Sequence, residues 1–194
     1  MPCERFIDPR TQPFVDGQSR GDLPHLHKSG CTYFVTFCLD DVAHRKALAR
    51  RSWGSEGTPD DVARNSEPGP SEGLCILGVD GAARIVESAM SFFQGDRYAV
   101  HAWVVMPNHI HVVLTPGEGH ELSRILHSWK SFTANRINVL LGRSGRLWQE
   151  ESFDHVIRSE EDLAKFIDYT ENNPVAAGLC GYPEDWPFSS ARFR

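Results

Sequence analysis

The stretch Tyr98 to Pro116, YAVHAWVVMPNHIHVVLTP, restricts the fold of this chain more than any other. It is the most apolar run in the sequence, and Pro107-Asn108 divides it into two strand-length halves joined by a tight turn. Residues at i and i+2 of a strand project from one face. If His109 to Thr115 is a strand, His109 and His111 point the same way with their imidazoles close together. Ile110, Val112 and Leu114 then point the other way, into a core. Two neutral imidazoles on one rigid face are half of a divalent-metal site. The same spacing also suits one satisfied core histidine beside a partly exposed one, so the pair alone does not decide.

At 194 residues the chain is most simply one domain with an insertion, long enough to bury a core without staples. Cys3, Cys31, Cys38, Cys75 and Cys180 are odd in number, widely spaced and free of any Cys-x-x-Cys. This argues against a disulfide framework or zinc cluster and fits a reducing compartment. No hydrophobic run approaches transmembrane length, and the N-terminus has no apolar signal region. A soluble, cytoplasmic protein without a membrane partner is expected.

The formal charge of −6 counts against a nucleic-acid partner until its distribution is considered. Ser52 to Leu74 holds five acids against one base, so the rest of the chain is close to neutral. Leu122 to Trp148 holds Arg124, Lys130, Arg136, Arg143 and Arg146 with no acid at all. One face of an acidic protein can therefore be positive.

Met1 to Lys28 has no clear period and reads as an N-terminal arm, leaving 29–194 as the domain. Cys31 to Leu39 alternates β-branched and aromatic residues and predicts a strand; Asp41 to Arg51 suits a short helix. The Gly-, Pro-, Ser- and acid-rich segment at about 52–74 reads as a surface insertion or lid. Ala82 to Gln94 has helical spacing, with Gly95 as its stop. The two strands Tyr98 to Met106 and His109 to Thr115 follow. Leu122 to Leu141 predicts a second helix, whose apolar stripe is Leu122, Ile125, Leu126, Trp129, Phe132, Ile137 and Leu140. Leu147 to Ile157 looks extended. Ser159-Glu-Glu-Asp162 opens a third helix, buried through Leu163, Phe166, Ile167 and Thr170, with Pro174 as its end. This order is a split β-α-β pattern: an α+β, ferredoxin-like antiparallel sheet with helices packed on one face.

Of four tyrosines, Tyr33 and Tyr98 fall in predicted strands and Tyr182 in a Gly-Pro loop. Tyr169 falls off its helix's buried stripe, on a face with Lys165 at i−4 and Asn173 at i+4. By position alone such a tyrosine is ordinarily inert.

A longer series of residues changes that. Met106-Pro107-Asn108-His109-Ile110-His111 is followed by Trp148-Gln149, then Asp154-His155-Val156-Ile157-Arg158. Tyr169 comes next with Asn172-Asn173-Pro174-Val175-Ala176-Ala177-Gly178, then Asp185-Trp186-Pro187-Phe188-Ser189-Ser190. Leu23-Pro24-His25 and Thr32-Tyr33-Phe34-Val35-Thr36-Phe37 precede them. The series resembles the REP-associated tyrosine transposases, relatives of the single-tyrosine HUH transposases of small insertion sequences, from about Leu23 to Phe193 apart from the acidic insertion.

The resemblance implies that His109 and His111 are metal ligands, Tyr169 the nucleophile and Asn173 the residue completing the metal shell. Its place before Pro174 leaves the rotation of Asn173 open. The implied cofactor is Mg²⁺ or Mn²⁺, and the absence of a Walker-type glycine loop fits chemistry without a nucleotide. The implied reaction is single-stranded DNA cleavage and strand transfer at REP-type hairpins through a 5′-phosphotyrosine. The proton acceptor for Tyr169 stays open among the metal environment, a water and Lys165. Lys130, Arg136, Arg143 and Arg146 are candidate phosphate contacts, while Trp129 and Trp148 read as core. A homodimer is left open. An idle, domesticated hairpin-DNA-binding protein is the alternative, and an RNA endoribonuclease on the same fold a third reading.

Overall fold

The structure, a computed structural model, describes residues 30–40 and 75–194. The N-terminal arm, Leu23-Pro24-His25, the Asp41 to Arg51 helix and the acidic insertion lie outside the described residues.

Among the described residues, four strands make one antiparallel sheet: β1 Thr32–Cys38, β2 Tyr98–Val105, β3 His109–Pro116 and β4 Phe153–Ile157, in the spatial order β2-β3-β1-β4. Three α-helices among those residues accompany it: α1 Asp80–Ser91, α2 Leu122–Leu140 and α3 Glu160–Ala176. Up to β4 the order is β-α-β-β-α-β, as the sequence pattern predicts.

Both faces of the sheet are covered, because β1 and β3 are apolar on both. Tyr33, Val35, Phe37, Ile110, Val112 and Leu114 join Val86 and Met90 of α1 and Ile125, Trp129 and Ile137 of α2 in the main core. Phe34, Ala102, Val113 and Ile157, from the opposite face, pack against Phe166 of α3. Helices on one face, as expected, describes α1 and α2, the helices of the split unit; α3 comes after that unit and closes the other face. Its stripe seals the smaller core, each fully buried large side chain contributing about 1.5–3 kcal/mol.

Three details also differ. Ser159 caps α3 as expected, its hydroxyl accepting from the Asp162 amide at 3.0 Å. Pro174 does not end the helix. The helix runs on to Ala176, with Ala177 N bonding Asn173 O, and stops where Gly178 takes φ +70°. On α2, Phe132 and Leu140 are about half exposed and Thr133 is buried instead. Its hydroxyl accepts from the Trp148 indole at 2.8 Å, a polar use of the core that an apolar stripe cannot reveal. Of Leu147 to Ile157 only Phe153–Ile157 is strand. Trp148 makes an isolated bridge to Leu39, and Lys130 gathers the carbonyls of residues 149–151.

The segment after α3 returns to β2. Val105 N bonds Phe188 O at 2.9 Å, Ser189 bridges Val104, and the Trp186 indole donates to Val105 O. An edge strand that would otherwise present open backbone groups is thereby covered. Ser190 then donates to the buried Glu171 at 2.8 Å, and Arg194 pairs with the same carboxylate at 3.0 Å, tying α3 to that edge.

Candidate active site

The α3 side of the sheet carries the site. Antiparallel pairing sets Thr36 opposite His111 and Cys38 opposite His109. The i, i+2 spacing puts both imidazoles on the face that Ile110 and Val112 avoid. His111 is fully buried and His109 nearly so. Their Nε2 atoms stand 3.1 Å apart. Each Nδ1 is engaged behind: His109 with Asn108 Oδ1 at 2.7 Å, His111 with Thr36 Oγ1 at 2.8 Å. Phe34 stacks on the His111 ring at 5.3 Å and 22°.

α3 brings Tyr169 onto this pair. Its ring lies 5.5 Å from that of His111, edge-on, and 5.8 Å from Phe34. Because the helix runs unbroken through Pro174, Asn173 keeps its phase one turn on and is buried. Its Nδ2 donates to the Tyr169 hydroxyl at 3.1 Å. Tyr33 and Tyr98 lie in the main core on the opposite face, and Tyr182 is exposed. Lys165 is held by Glu161 at 2.7 Å, and that bond raises its pKa.

The donors suit a divalent cation. Metal–nitrogen bonds of about 2.1 Å at a right angle place two donors about 3.0 Å apart, close to the 3.1 Å between the two Nε2 atoms. Among the described residues no group of three or more His, Cys, Asp or Glu gathers. Among the described residues, the Asn173 amide and the Tyr169 oxygen are further donors near the pair.

The four predicted phosphate contacts do not stand together. Lys130 turns inward: its ammonium donates to the carbonyls of Gln149, Glu150 and Glu151 at 3.1–3.2 Å. Burial pulls its pKa from 10.5 to about 8. As a phosphate contact it is corrected to a loop clamp. Arg136 is exposed on α2, across the sheet from the histidines, with its cation 5.9 Å over Phe132. Arg143 and Arg146 occupy the loop after α2. That loop meets the sheet at the His109 end, where Asp40 N bonds Leu147 O and Leu39 N bonds Asn108 O. Arg146 lies 4.0 Å from Asp40 and 3.4 Å from Glu150.

Residues 79–173 match the family model described as "Transposase IS200 like". Over 95 residues the chain is 35% identical to the REP-associated tyrosine transposase of Escherichia coli K12, a match spanning 48% of this chain and 54% of that protein. Over that span the chain is similar to the REP-associated tyrosine transposases. A putative REP-associated tyrosine transposase of Haemophilus influenzae Rd is 29% identical over 99 residues, 44% of this chain and 54% of that one. The chain thus spans about half the length of the curated relatives it matches. Its fold is similar to that of a solved REP-associated tyrosine transposase bound to a REP hairpin, with a TM-score of 0.61 at 23% identity over 89% of this chain and 84% of that one. No helix among the described residues is long and apolar enough to cross a membrane.

Proposed function

We propose that this protein cleaves and rejoins single-stranded DNA at the foot of palindromic, REP-type hairpins, with Tyr169 as nucleophile and His109, His111 and Asn173 around a Mg²⁺ or Mn²⁺ ion. The observation that carries the proposal is the meeting of three chemically distinct groups from separate elements. His109 and His111 face each other at 3.1 Å on β3, and α3 sets the Tyr169 ring 5.5 Å from His111. A sheet face built only for packing has no need of this set. The solved relative bound to a REP hairpin supports the substrate class.

A bound divalent cation supplies Lewis-acid polarisation of a non-bridging phosphate oxygen. The chain's own residues do the rest. The Tyr169 oxygen attacks phosphorus as its proton leaves, the bond from phosphorus to the 3′ oxygen breaks, and that oxygen departs as a hydroxyl. The product is a 5′-phosphotyrosine. One phosphoester replaces another, so rejoining requires no nucleotide. Asn173 Nδ2 donates to the phenol oxygen, and a donor there favours the developing phenoxide. Phe34, itself packed on Phe166, lies against both His111 and Tyr169. Arg143 and Arg146, at the end of the sheet that bears His109, receive the strand's phosphates.

The test is incubation with a labelled palindromic hairpin and Mn²⁺ or Mg²⁺. An SDS-stable adduct mapped by peptide mass to Tyr169 is expected. EDTA should remove it, and Tyr169→Phe should abolish it while leaving hairpin affinity nearly unchanged. Tight hairpin binding with no adduct would instead mark an idle binding protein. Covalent capture on Tyr33, Tyr98 or Tyr182 would overturn the assignment.

A further inference from the structure

Tyr169 and Glu171 stand two residues apart on α3, about 200° around a helix of about 3.6 residues per turn. One side of the helix therefore carries the tyrosine to His111, and the other carries a buried carboxylate to the β2 edge. Apolar packing is non-directional, so Leu163, Phe166 and Ile167 seal the smaller core without fixing the rotation of the helix. The Glu171 carboxylate supplies a directional contact. Ser190 donates to its Oε1 at 2.8 Å, and Arg194 Nε lies 3.0 Å from the same oxygen. The Ser190 hydroxyl in turn accepts from the Trp103 backbone amide at 3.0 Å; the Trp103 carbonyl, at 3.3 Å, is its longer contact. Trp103 pairs with Val112, its neighbour Val104 pairs with His111, and Ser189 bridges Val104. The clasp thus joins α3 to the sheet at the level of His111 itself.

A buried carboxylate costs more than an apolar side chain unless its bonds are made, and even a well-made buried ion pair adds little stability over an apolar replacement. Packing alone gives no reason for Glu171. Geometry does. Side-chain ends lie about 5–6 Å from a helix axis, so a turn of about 10° shifts them by about 1 Å. A misplacement of about 1 Å can slow a reaction about a hundredfold. We propose that Glu171 and Ser190 are positioning residues for strand cleavage: their hydrogen bond sets the rotation of α3 and so holds the Tyr169 oxygen in line with a phosphate at His109 and His111. The inference rests on Tyr169 as nucleophile and deepens that reading. It also gives a task to Ser190 of the motif series.

Single-turnover adduct formation by the full-length protein, with Mn²⁺ and a saturating labelled palindromic hairpin, tests this beside hairpin affinity. Ser190→Ala and Glu171→Leu should each slow adduct formation about tenfold to a hundredfold, while affinity stays at the wild-type value. Glu171→Leu fills the space without the acceptor, so its urea midpoint should match or exceed wild type even as its rate falls. Glu171→Gln keeps a carbonyl oxygen for Ser190 and should keep most of the rate. Wild-type rates in Ser190→Ala and Glu171→Leu would overturn the proposal, and so would weakened affinity with the saturating rate intact. Glu171→Gln as slow as Glu171→Leu would overturn it too, because the charge and not the acceptor would then be what matters. Fluorine NMR of 3-fluorotyrosine-labelled protein reads the setting of Tyr169 without turnover, its resonance being the one that Tyr169→Phe deletes. That resonance should shift or broaden in Ser190→Ala and match wild type in Glu171→Gln; an unmoved resonance in Ser190→Ala would overturn the clasp. A wild type that forms no adduct, with the resonance still moved by Ser190→Ala, would overturn Tyr169 as nucleophile instead, so the two failures are distinct.

Discussion

Asn173 and Tyr169 stand one helical turn apart, and the hydrogen bond between them bears on how readily the phenol gives up its proton. The amide Nδ2 can only donate, so it stabilises the phenoxide more than the phenol. Asn173→Ala should slow adduct formation about a hundredfold, the scale of losing one donor to a developing oxyanion, while hairpin affinity holds. Single-turnover kinetics at saturating hairpin would show it, and an unchanged rate would remove Asn173 from the chemistry. That His109 and His111 share one face was legible in strand periodicity, and Tyr169, whose ring lies beside that of His111, stood out by its off-stripe position and the motif series. Thr36 and Asn108 did not. A threonine in a β-branched run and an asparagine after proline look like ordinary strand and turn residues. Thr36 is 75 positions from His111, and strand register alone makes them neighbours.

At the scale of elements, the split β-α-β order was readable because apolar periods of about two and 3.6 alternate cleanly along the chain. The face taken by α3 was not, since its stripe says that it is buried without saying against what. Pro174 misled because a proline removes only one amide. The helix proceeds when its last carbonyls are satisfied from Ala177 to Leu179, as here. The Lys130 clamp shows the same limit: a basic residue on a helix flank reads as a surface charge until the loop it holds is in view. Its three carbonyl partners favour the ammonium, but burial prevails and lowers the pKa to about 8. The folded pKa is thus below the unfolded 10.5, and between these values the unfolded chain binds more protons. Below about pH 8 the full cost of burying the charge is present, and it is relieved as pH rises toward 10.5. Lys130→Met should be less stable at pH 7 by about 1–3 kcal/mol, because three carbonyls lose a donor. The gap between wild type and variant should widen between pH 8 and 10.5. Urea midpoints measured across that range check the sign, and a gap that narrows would mean that Lys130 is not held as described.

Across the whole molecule, charge is sorted rather than averaged. The chain is acidic overall, yet the 27 residues from Leu122 to Trp148 contain no acid and five bases, four once Lys130 is set apart as a clamp. Arg124 is paired with Glu121 at 3.0 Å. Arg136 faces away from the histidines, and Arg143 and Arg146 stand at the His109 end of the sheet. A strand whose scissile phosphate reaches the histidines would pass that loop first. Hairpin binding should therefore weaken with salt through counterion release, despite the net negative charge. Arg143→Ala and Arg146→Ala should each lower the slope of log affinity against log salt by about 0.7–0.9, the share of one phosphate contact. Lys130→Met should leave that slope unchanged wherever the variant is folded, and Arg136→Ala should change it less than either loop arginine. Fluorescence anisotropy of a labelled hairpin from about 50 to 200 mM salt measures all four. Equal slopes for wild type and both loop variants would move the DNA to another surface. A slope lowered by Arg136→Ala alone would place the hairpin across α2, on the side of the sheet away from Tyr169, and would contradict the site proposed for cleavage.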